Sequence, residues 1–460
     1  MNKDFAEYKL KAICIFDGRN KEKIQDVAKY FSEFALIKYR VRTEVTYLIF
    51  LSQNTKIVRK LTKKESDFLQ NILDKFNLED ALVVKAFEAK INHDVKAVEY
   101  FLQKKLEKTS LTDIIPFIHF GLASYDINIP AYALMLKEFR DEVLLIKFGE
   151  ILRGLKELIK KTKSMHMLGR THGQPALPTT MGKELAVYFR RLKSEVGVLI
   201  KEPIEAKLTG AVGNFNALSY AASEIDWLNL SKKFIQYLGL EPNIFTTQIL
   251  PYDSWIRLFD SIKRINNILM GLSMDLWWYI SFEYFVQKNK EEEVGSSTMS
   301  HKVNPITFEN AEGNLGMANS LYEFFGRKLS YSRLQRDLSD STVKRNFGLA
   351  FGFTLLAWDS LLSGFTRISP NPAKMKEDLD KHWEIFSEGI QTYLRGKGYK
   401  NAYELLKDKT KGKTLSKEKM YQIIDDLPLN YEDKEYLKIK DLSEYSGLAE
   451  ELAELAIVES

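Results

Sequence analysis

The chain has 460 residues, 45% of them hydrophobic and 28% charged, with a formal charge of +5. That composition is ordinary for a globular protein and supplies enough apolar mass for more than one core. A single cysteine, Cys14, excludes an internal disulfide framework and a multi-cysteine zinc site and suits a reducing, cytoplasmic setting.

Lysines and acids alternate along the whole chain rather than gathering in a basic block, so the charge reads as a solvated mixed surface. No nucleic-acid recognition motif accompanies it. The first residues, MNKDFAEYKLKAICIFDG, carry charge throughout and no long apolar run, so no signal peptide is expected. Thr46–Leu51 fits strand or helix equally, whereas Asp94–Lys108 reads as helix, with a domain boundary placed near 111–115. Met181–Ile200 pairs an apolar face with basic residues on the other, and a helix start is expected near Thr179-Thr180. No proline falls between Pro203 and Pro242, Pro251 and Pro305, or Pro305 and Pro370, so each window can hold long helices. In Trp255–Ile280 apolar residues recur at helical spacing (Ile256, Phe259, Ile262, Ile265, Ile268, Leu269, Leu272). The most apolar stretches, Ile268–Val286 and Phe347–Phe365, are interrupted by Asp275 and Glu283 and by Asp359, which predicts buried helices rather than membrane spans. Asn371-Pro372-Ala373 begins a lysine-rich part with shorter helices. The expected architecture is all-α: an N-terminal helical domain over 1–112, a central bundle of long helices over 113–365, and a C-terminal helical domain over 366–460.

A lone histidine usually has a structural, hydrogen-bonded role, and His119, His166 and His382 are read that way. Three segments hold more. RTHGQP sets His172 among polar neighbours at a connection, where an imidazole can serve as general acid or base. GSSTMSHKVNP, residues 295–305, combines glycine, hydroxyl side chains and Lys302 ahead of Pro305. It could surround a carboxylate and stabilise charge growing on it, or be a solvated loop without chemistry. In SRLQRDLSDSTVKRN, Arg336, Ser341 and Arg345 could form a phosphate-binding set, because arginine presents a planar donor fork. Arg–Asp pairing on a helix surface would explain that segment equally well.

Together these segments resemble a known family. GSSTMSHKVNP is similar to the signature loop of the fumarase/aspartase superfamily, commonly GSSxMPxKxNP. RTHGQPALPTTMGKE and SRLQRDLSDSTVKRN resemble the histidine and arginine segments of adenylosuccinate lyases of the longer bacterial type. FDGRN, NHDVKAVEYFL, IHFGLASYDIN and FTTQ extend the likeness over most of the chain. The resemblance implies three mostly helical domains and a homotetramer built on a twenty-helix core, with active sites shared between subunits. It implies reversible elimination of fumarate from an N-succinyl nucleotide, with Ser296 as base and His172 as acid. Lys302 and Asn304 would hold carboxylates, and Arg19, Arg336, Ser341 and Arg345 the phosphoribosyl end. His93, Ser124 and Gln248 would add contacts, with Asn20, Asn92, Asp94, Ala123 and Thr171 as their neighbours in the binding motifs. No metal or organic cofactor is needed, and the partner is a small anionic nucleotide rather than nucleic acid or membrane.

The chain departs from the family pattern at four places. Ser300 stands in the loop's usual proline position, Asn20 where tyrosine is common, Ala123 where threonine precedes the serine, and Tyr252 where histidine follows Pro251. Loss of proline frees Met299 and adds a backbone donor at 300. A paralogue acting on another N-succinyl compound, or a non-catalytic binding protein on the same fold, are the alternatives these departures raise.

Overall fold

The computed structural model describes residues 3–288, 299 and 302–458. The protein is all-α, and strands among the described residues form only two-stranded pairs. The chain divides into two compact units. The first comprises Met1–Lys147, Val196–Asn266 and Asn314–Leu356; the second comprises Phe148–Glu195, Asn267–Gly313 and Ala357–Ser460. Long helices fill two of the proline-free windows: Asp253–Ser281 follows Pro251, and Ile306–Leu329 and Phe347–Arg367 lie between Pro305 and Pro370. The window from Pro203 to Pro242 holds only the shorter Asn216–Ala221 and Trp227–Tyr237.

In the first unit, Ser32 caps the helix Glu33–Asn54 by accepting from the Ala35 amide at 3.1 Å. Thr46–Leu51 belongs to this helix, which resolves the strand-or-helix ambiguity. Tyr47, Leu48, Phe50 and Leu51 are all buried, and a helix buried on most sides shows no clean apolar period. Capping boxes start the next two helices: Thr62 with Glu65 before Lys63–Asp74, and Asn77 with Asp80 before Leu78–Ile91. Arg59 ties Glu65 to Asp113 with contacts of 2.8 and 2.6 Å. Leu78–Ile91 ends at Asn92 in the left-handed region (φ 53°), and His93 caps Asp94–Leu106, its Nδ1 accepting from the Lys96 amide at 3.1 Å.

The helix Ser124–Phe139 begins at Ala123, whose N–H donates to the Asp126 carboxylate at 2.8 Å. Alanine has no side-chain oxygen to complete a capping box, so only this half forms. Asp126 also accepts from Lys207 Nζ (2.8 Å), from the Thr209 amide (2.9 Å) and from the Gly210 amide (3.1 Å), and both charged side chains are fully buried. The carboxylate thus staples the start of one helix to the distant 207–210 segment. Phe259, Tyr322, Phe325, Phe347 and Phe351 pack as an aromatic core, with Phe259 and Phe347 centroids 4.9 Å apart. The predicted stripe holds from Phe259 on, since Phe259, Ile262, Ile265, Ile268, Leu269 and Leu272 are all buried, while Ile256 is half-buried.

The three histidines read as structural each meet a carboxylate: His119 Nδ1 lies 2.6 Å from Glu44, His166 Nε2 3.0 Å from Glu450, and His382 Nδ1 2.7 Å from Glu384. For His119, burial lowers the affinity for a proton, but Glu44, with help from Glu99 and Asp126, outweighs it and raises the pKa above the ordinary imidazole value. A raised folded pKa stabilises the fold most below the unfolded imidazole value, and that contribution is lost as pH rises through the folded value. Wild-type stability should therefore fall from pH 6 to pH 8.5 by more than that of Glu44→Gln. At pH 6 the variant should lie below wild type by about 2 kcal/mol, the scale of a hydrogen bond to a charged group. Urea midpoints at the two pH values check this, and equal falls in both proteins would refute it.

In the second unit, strands His166–Thr171 and Gln174–Thr180 form an antiparallel hairpin, and the helix Met181–Lys201 follows directly. The helix start expected near Thr179-Thr180 falls at the next residue, Met181, and both threonines complete the hairpin. Leu168 of the hairpin joins a core built from Leu379, Trp383, Phe386, Ile390, Leu394, Met420, Ile424 and Leu442. Phe285–Gln287 pairs antiparallel with Ile368–Pro370. By length and composition the run Ser339–Arg367 could cross a membrane, with mean hydropathy 1.3. Its most apolar window is 61% buried, and Phe347, Phe351, Trp358 and Leu361 lie in the interior, so its long segment Phe347–Arg367 is a core helix.

Candidate active site

The first unit gathers most of the residues expected to bind a phosphate-bearing ligand. The segment before the short helix Ser339–Lys344 is folded by its own side chains. Asp337 accepts from the Ser339 amide at 2.7 Å, from the Ser339 hydroxyl and from the Arg333 amide at 3.2 Å. The Ser339 hydroxyl and amide hold the Asp337 carboxyl down to about 2. Arg336 leaves this segment to donate to Gln248 Oε1 at 2.9 Å and stacks over the Tyr125 ring at 4.0 Å. Gln248 is held from its backbone as well, its amide donating to the Gln335 carbonyl at 3.3 Å.

Arg345 donates to Glu33 at 2.8 Å and to Asp94 at 3.1 Å. Asp94 also takes Arg40 Nη2 at 2.6 Å, and Arg40 Nε donates to Asn128 at 2.8 Å. Burial would raise the Asp94 pKa, yet Arg40 and Arg345 keep it below the usual carboxylate range. A cavity of about 110 Å³ beside this network is lined by Ser32, Glu33, Tyr132, Lys344 and Arg345. Ser341 sits one turn before Arg345, its carbonyl accepting from the Arg345 amide at 3.3 Å. Ser124 opens its helix beside Tyr125, and Arg19 is exposed after the turn at Cys14–Gly18, with Asn20 at the start of the short helix Lys21–Ile24.

Behind these residues lies a buried polar cluster. Asp340 accepts from Tyr125 at 2.8 Å, from Tyr252 at 2.6 Å and from Lys344 Nζ at 2.6 Å, while Lys344 also reaches the Tyr252 hydroxyl at 2.7 Å. Burial raises the Asp340 carboxyl, but Lys344 and the two tyrosine hydroxyls outweigh it and leave it below its usual value. Burial pushes the Lys344 ammonium down to about 8 despite Asp340.

The second unit holds the expected acid. Thr171 pairs with Gln174, leaving His172 and Gly173 as a two-residue turn with φ of 53° and 74°. Positive φ at both central residues is what a type I′ hairpin turn demands, and it carries the exposed imidazole at the tip of a hairpin whose stem is buried at Met167 and Leu168. A cavity of about 560 Å³ beside the stem is lined by Arg170, Thr171, Lys183, Glu184 and Tyr284, among others. Farther along, Lys302 is exposed and its amide donates to the Met299 carbonyl at 3.1 Å. Gln287 Nε2 donates to the Val303 carbonyl at 2.7 Å, and Asn304 precedes Pro305, whose carbonyl accepts from the Phe308 amide at 3.0 Å. Ser296, Ser300 and the rest of the glycine-serine stretch lie outside the described residues.

Comparison with known proteins decides the family. A family model described as "Lyase" matches residues 18–318, and one described as "Adenylosuccinate lyase C-terminal" matches residues 332–446. An adenylosuccinate lyase of Legionella pneumophila is 45% identical over 446 residues, covering 96% of this chain and 98% of its own. One from Escherichia coli is 43% identical over 443 residues, covering 96% and 97%. The chain belongs to the adenylosuccinate lyase family. At the level of fold it also resembles a 3-carboxy-cis,cis-muconate lactonizing enzyme from Pseudomonas putida (TM-score 0.75, 17% identity, 96% and 98% covered). A fumarate lyase from Mesorhizobium gives a TM-score of 0.73 at 18% identity, with 94% and 97% covered.

Within this adenylosuccinate lyase family member, the structure brings together Asp94 with Arg345 and Gln248 with Arg336, all in the first unit. Thr171, His172, Lys302 and Asn304 belong to the second. The arginine segment carries one pair of the surface kind, Arg333 with Asp337 at 3.5 Å, with Arg333 84% exposed. Sequence reasoning missed the Tyr125–Tyr252–Asp340–Lys344 cluster. Its available signal was the four-residue spacing of Asp340 and Lys344, which reads as a surface ion pair until tertiary packing is known.

Proposed function

We propose that the chain catalyses the reversible β-elimination of fumarate from adenylosuccinate, giving AMP, and from the succinyl-carboxamide ribotide of purine biosynthesis, giving the free carboxamide. The observation that carries this reading is the likeness to curated adenylosuccinate lyases over nearly the whole chain, at 45% identity in one relative. The residues the chemistry needs stand at the matching motif positions.

In this reading a base takes a proton from the succinyl carbon beside a carboxylate, and the negative charge spreads into that carboxylate. The C–N bond then breaks, its electron pair leaves on nitrogen, and an acid supplies a proton there as fumarate forms. Ser296 is the proposed base and His172 the proposed acid. A serine hydroxyl is a weak base at neutral pH, so it needs a nearby cation, for which Lys302 is the candidate, and exclusion of water. Lys302 and Asn304 receive the carboxylates, and Arg19, Arg336, Ser341 and Arg345 the phosphoribosyl end, with His93, Ser124 and Gln248 in contact. Asn20, Asn92, Asp94, Ala123 and Thr171 lie beside them in the same motifs. We further propose a homotetramer, active in the cytoplasm, with active sites completed by neighbouring subunits.

The purified protein mixed with adenylosuccinate should release fumarate, followed by its ultraviolet absorbance. Release from another N-succinyl compound but not from adenylosuccinate would replace the substrate assignment. No release from any such compound would overturn the reading.

A further inference from the structure

Lys344 has no part in the chemistry above, yet it occupies an unusual position. Its side chain is 1% exposed, and its ammonium reaches Asp340 at 2.6 Å and the Tyr252 hydroxyl at 2.7 Å. The rings of Tyr125, Tyr252 and Tyr132 lie 4.3, 5.0 and 5.7 Å from it. Burying an ammonium is expensive, and a hydrophobic residue would fill the space without that penalty.

The charges around it do not balance. Arg40 and Arg345 are matched by Asp94 and Glu33. Lys344 contacts Asp340 directly, while Arg336 lies over the ring of Tyr125, whose hydroxyl donates to the same carboxylate. Among the described residues, two cations beside one carboxylate leave an excess positive charge next to the arginines expected to receive a phosphate.

We propose that Lys344 is a buried positioning residue for phosphate binding, fixing Arg336 through Asp340 and Tyr125 and supplying the surplus positive charge that a phosphate dianion matches. This rests on the proposed function, which assigns Arg336 and Arg345 to the phosphoribosyl end. Tyr252, a departure from the family pattern, has a role here as the hydroxyl that shares the ammonium with Asp340. Burial pushes Lys344 down to about 8, so its charge is lost just above neutral pH while the arginines keep theirs. Phosphate affinity therefore acquires a pH dependence that the arginines alone cannot produce.

AMP is a suitable probe, because its phosphate is already a dianion above about pH 7. Its Kd, measured by calorimetry on the intact protein, should weaken by about fivefold from pH 7 to pH 9, the effect of losing one partly screened charge. Lys344→Met should weaken AMP by about fivefold at pH 7 and show a flat profile to pH 9. Tyr252→Phe, which keeps the ring and the charge, should give a smaller loss and retain the pH dependence. Adenosine, lacking the phosphate, should bind all three proteins alike at every pH. A flat wild-type profile overturns the inference, and needs no variant that must fold. So does a Lys344→Met protein whose AMP affinity and pH profile match wild type. Arg336→Met separates the two levels: if it leaves AMP affinity unchanged, the phosphate assignment itself is wrong. If it weakens AMP while Lys344→Met does not, only the role of Lys344 falls.

Discussion

Replacing His172 by glutamine is expected to slow turnover by about 10²-fold or more, the scale of losing a general acid, while the protein stays folded. The imidazole is exposed at a hairpin tip, so its loss removes no core packing. Its backbone, however, sits at φ 53°, which most side chains tolerate poorly. His172→Asn is the necessary companion, because asparagine accepts left-handed backbone more readily. Equal large losses in kcat for both variants, with unchanged unfolding midpoints, would assign the effect to lost chemistry. Near-normal kcat in either would remove His172 from the role of acid. Ser296→Ala should lose turnover on the same scale if the motif assignment of the base is right.

The second large effect is on stability. Lys207→Met is expected to cost about 3–5 kcal/mol, because it strands the Asp126 carboxylate in a dry interior. Asp126 would keep its bonds from the Ala123, Thr209 and Gly210 amides, which place the loss toward the lower end of that range. The double variant Asp126→Asn/Lys207→Met should recover part of it by removing both charges. Guanidinium unfolding at one fixed protein concentration measures both. A loss below about 1 kcal/mol, the range of an exposed pair, would mean that water reaches the pair.

Much of this was legible beforehand, and the reason differs by feature. Long helices were readable because proline spacing and the stripe from Phe259 to Leu272 are local signals, and that face is buried as expected. The hairpin carrying His172 was not read, because its strands hold Gly169, Pro175 and Pro178, which obscure alternation. The turn itself did leave a trace in His172-Gly173, a pair suited to two positive φ values. Asn92-His93-Asp94 was legible as a polar motif, but its local work was not: one residue ends a helix, the next starts another, and the third pairs with Arg40 and Arg345. The cluster around Lys344 was hidden for a different reason. Tyr125, Tyr252 and Asp340 are far apart in sequence, and nothing local distinguishes a buried lysine from a solvated one.

The cap at His93 has a consequence for what a ligand meets there. Because Nδ1 accepts the Lys96 amide proton, the neutral ring must carry its own hydrogen on Nε2. A ligand reaching that nitrogen finds a donor whose direction is set by the helix beneath it. An oxygen acceptor, whether of a phosphate or a carbonyl, is complementary to it, and an ammonium, which has no lone pair, is not. If His93 contacts the substrate as proposed, the helix would select by hydrogen-bond polarity through a side chain whose other nitrogen it has already claimed.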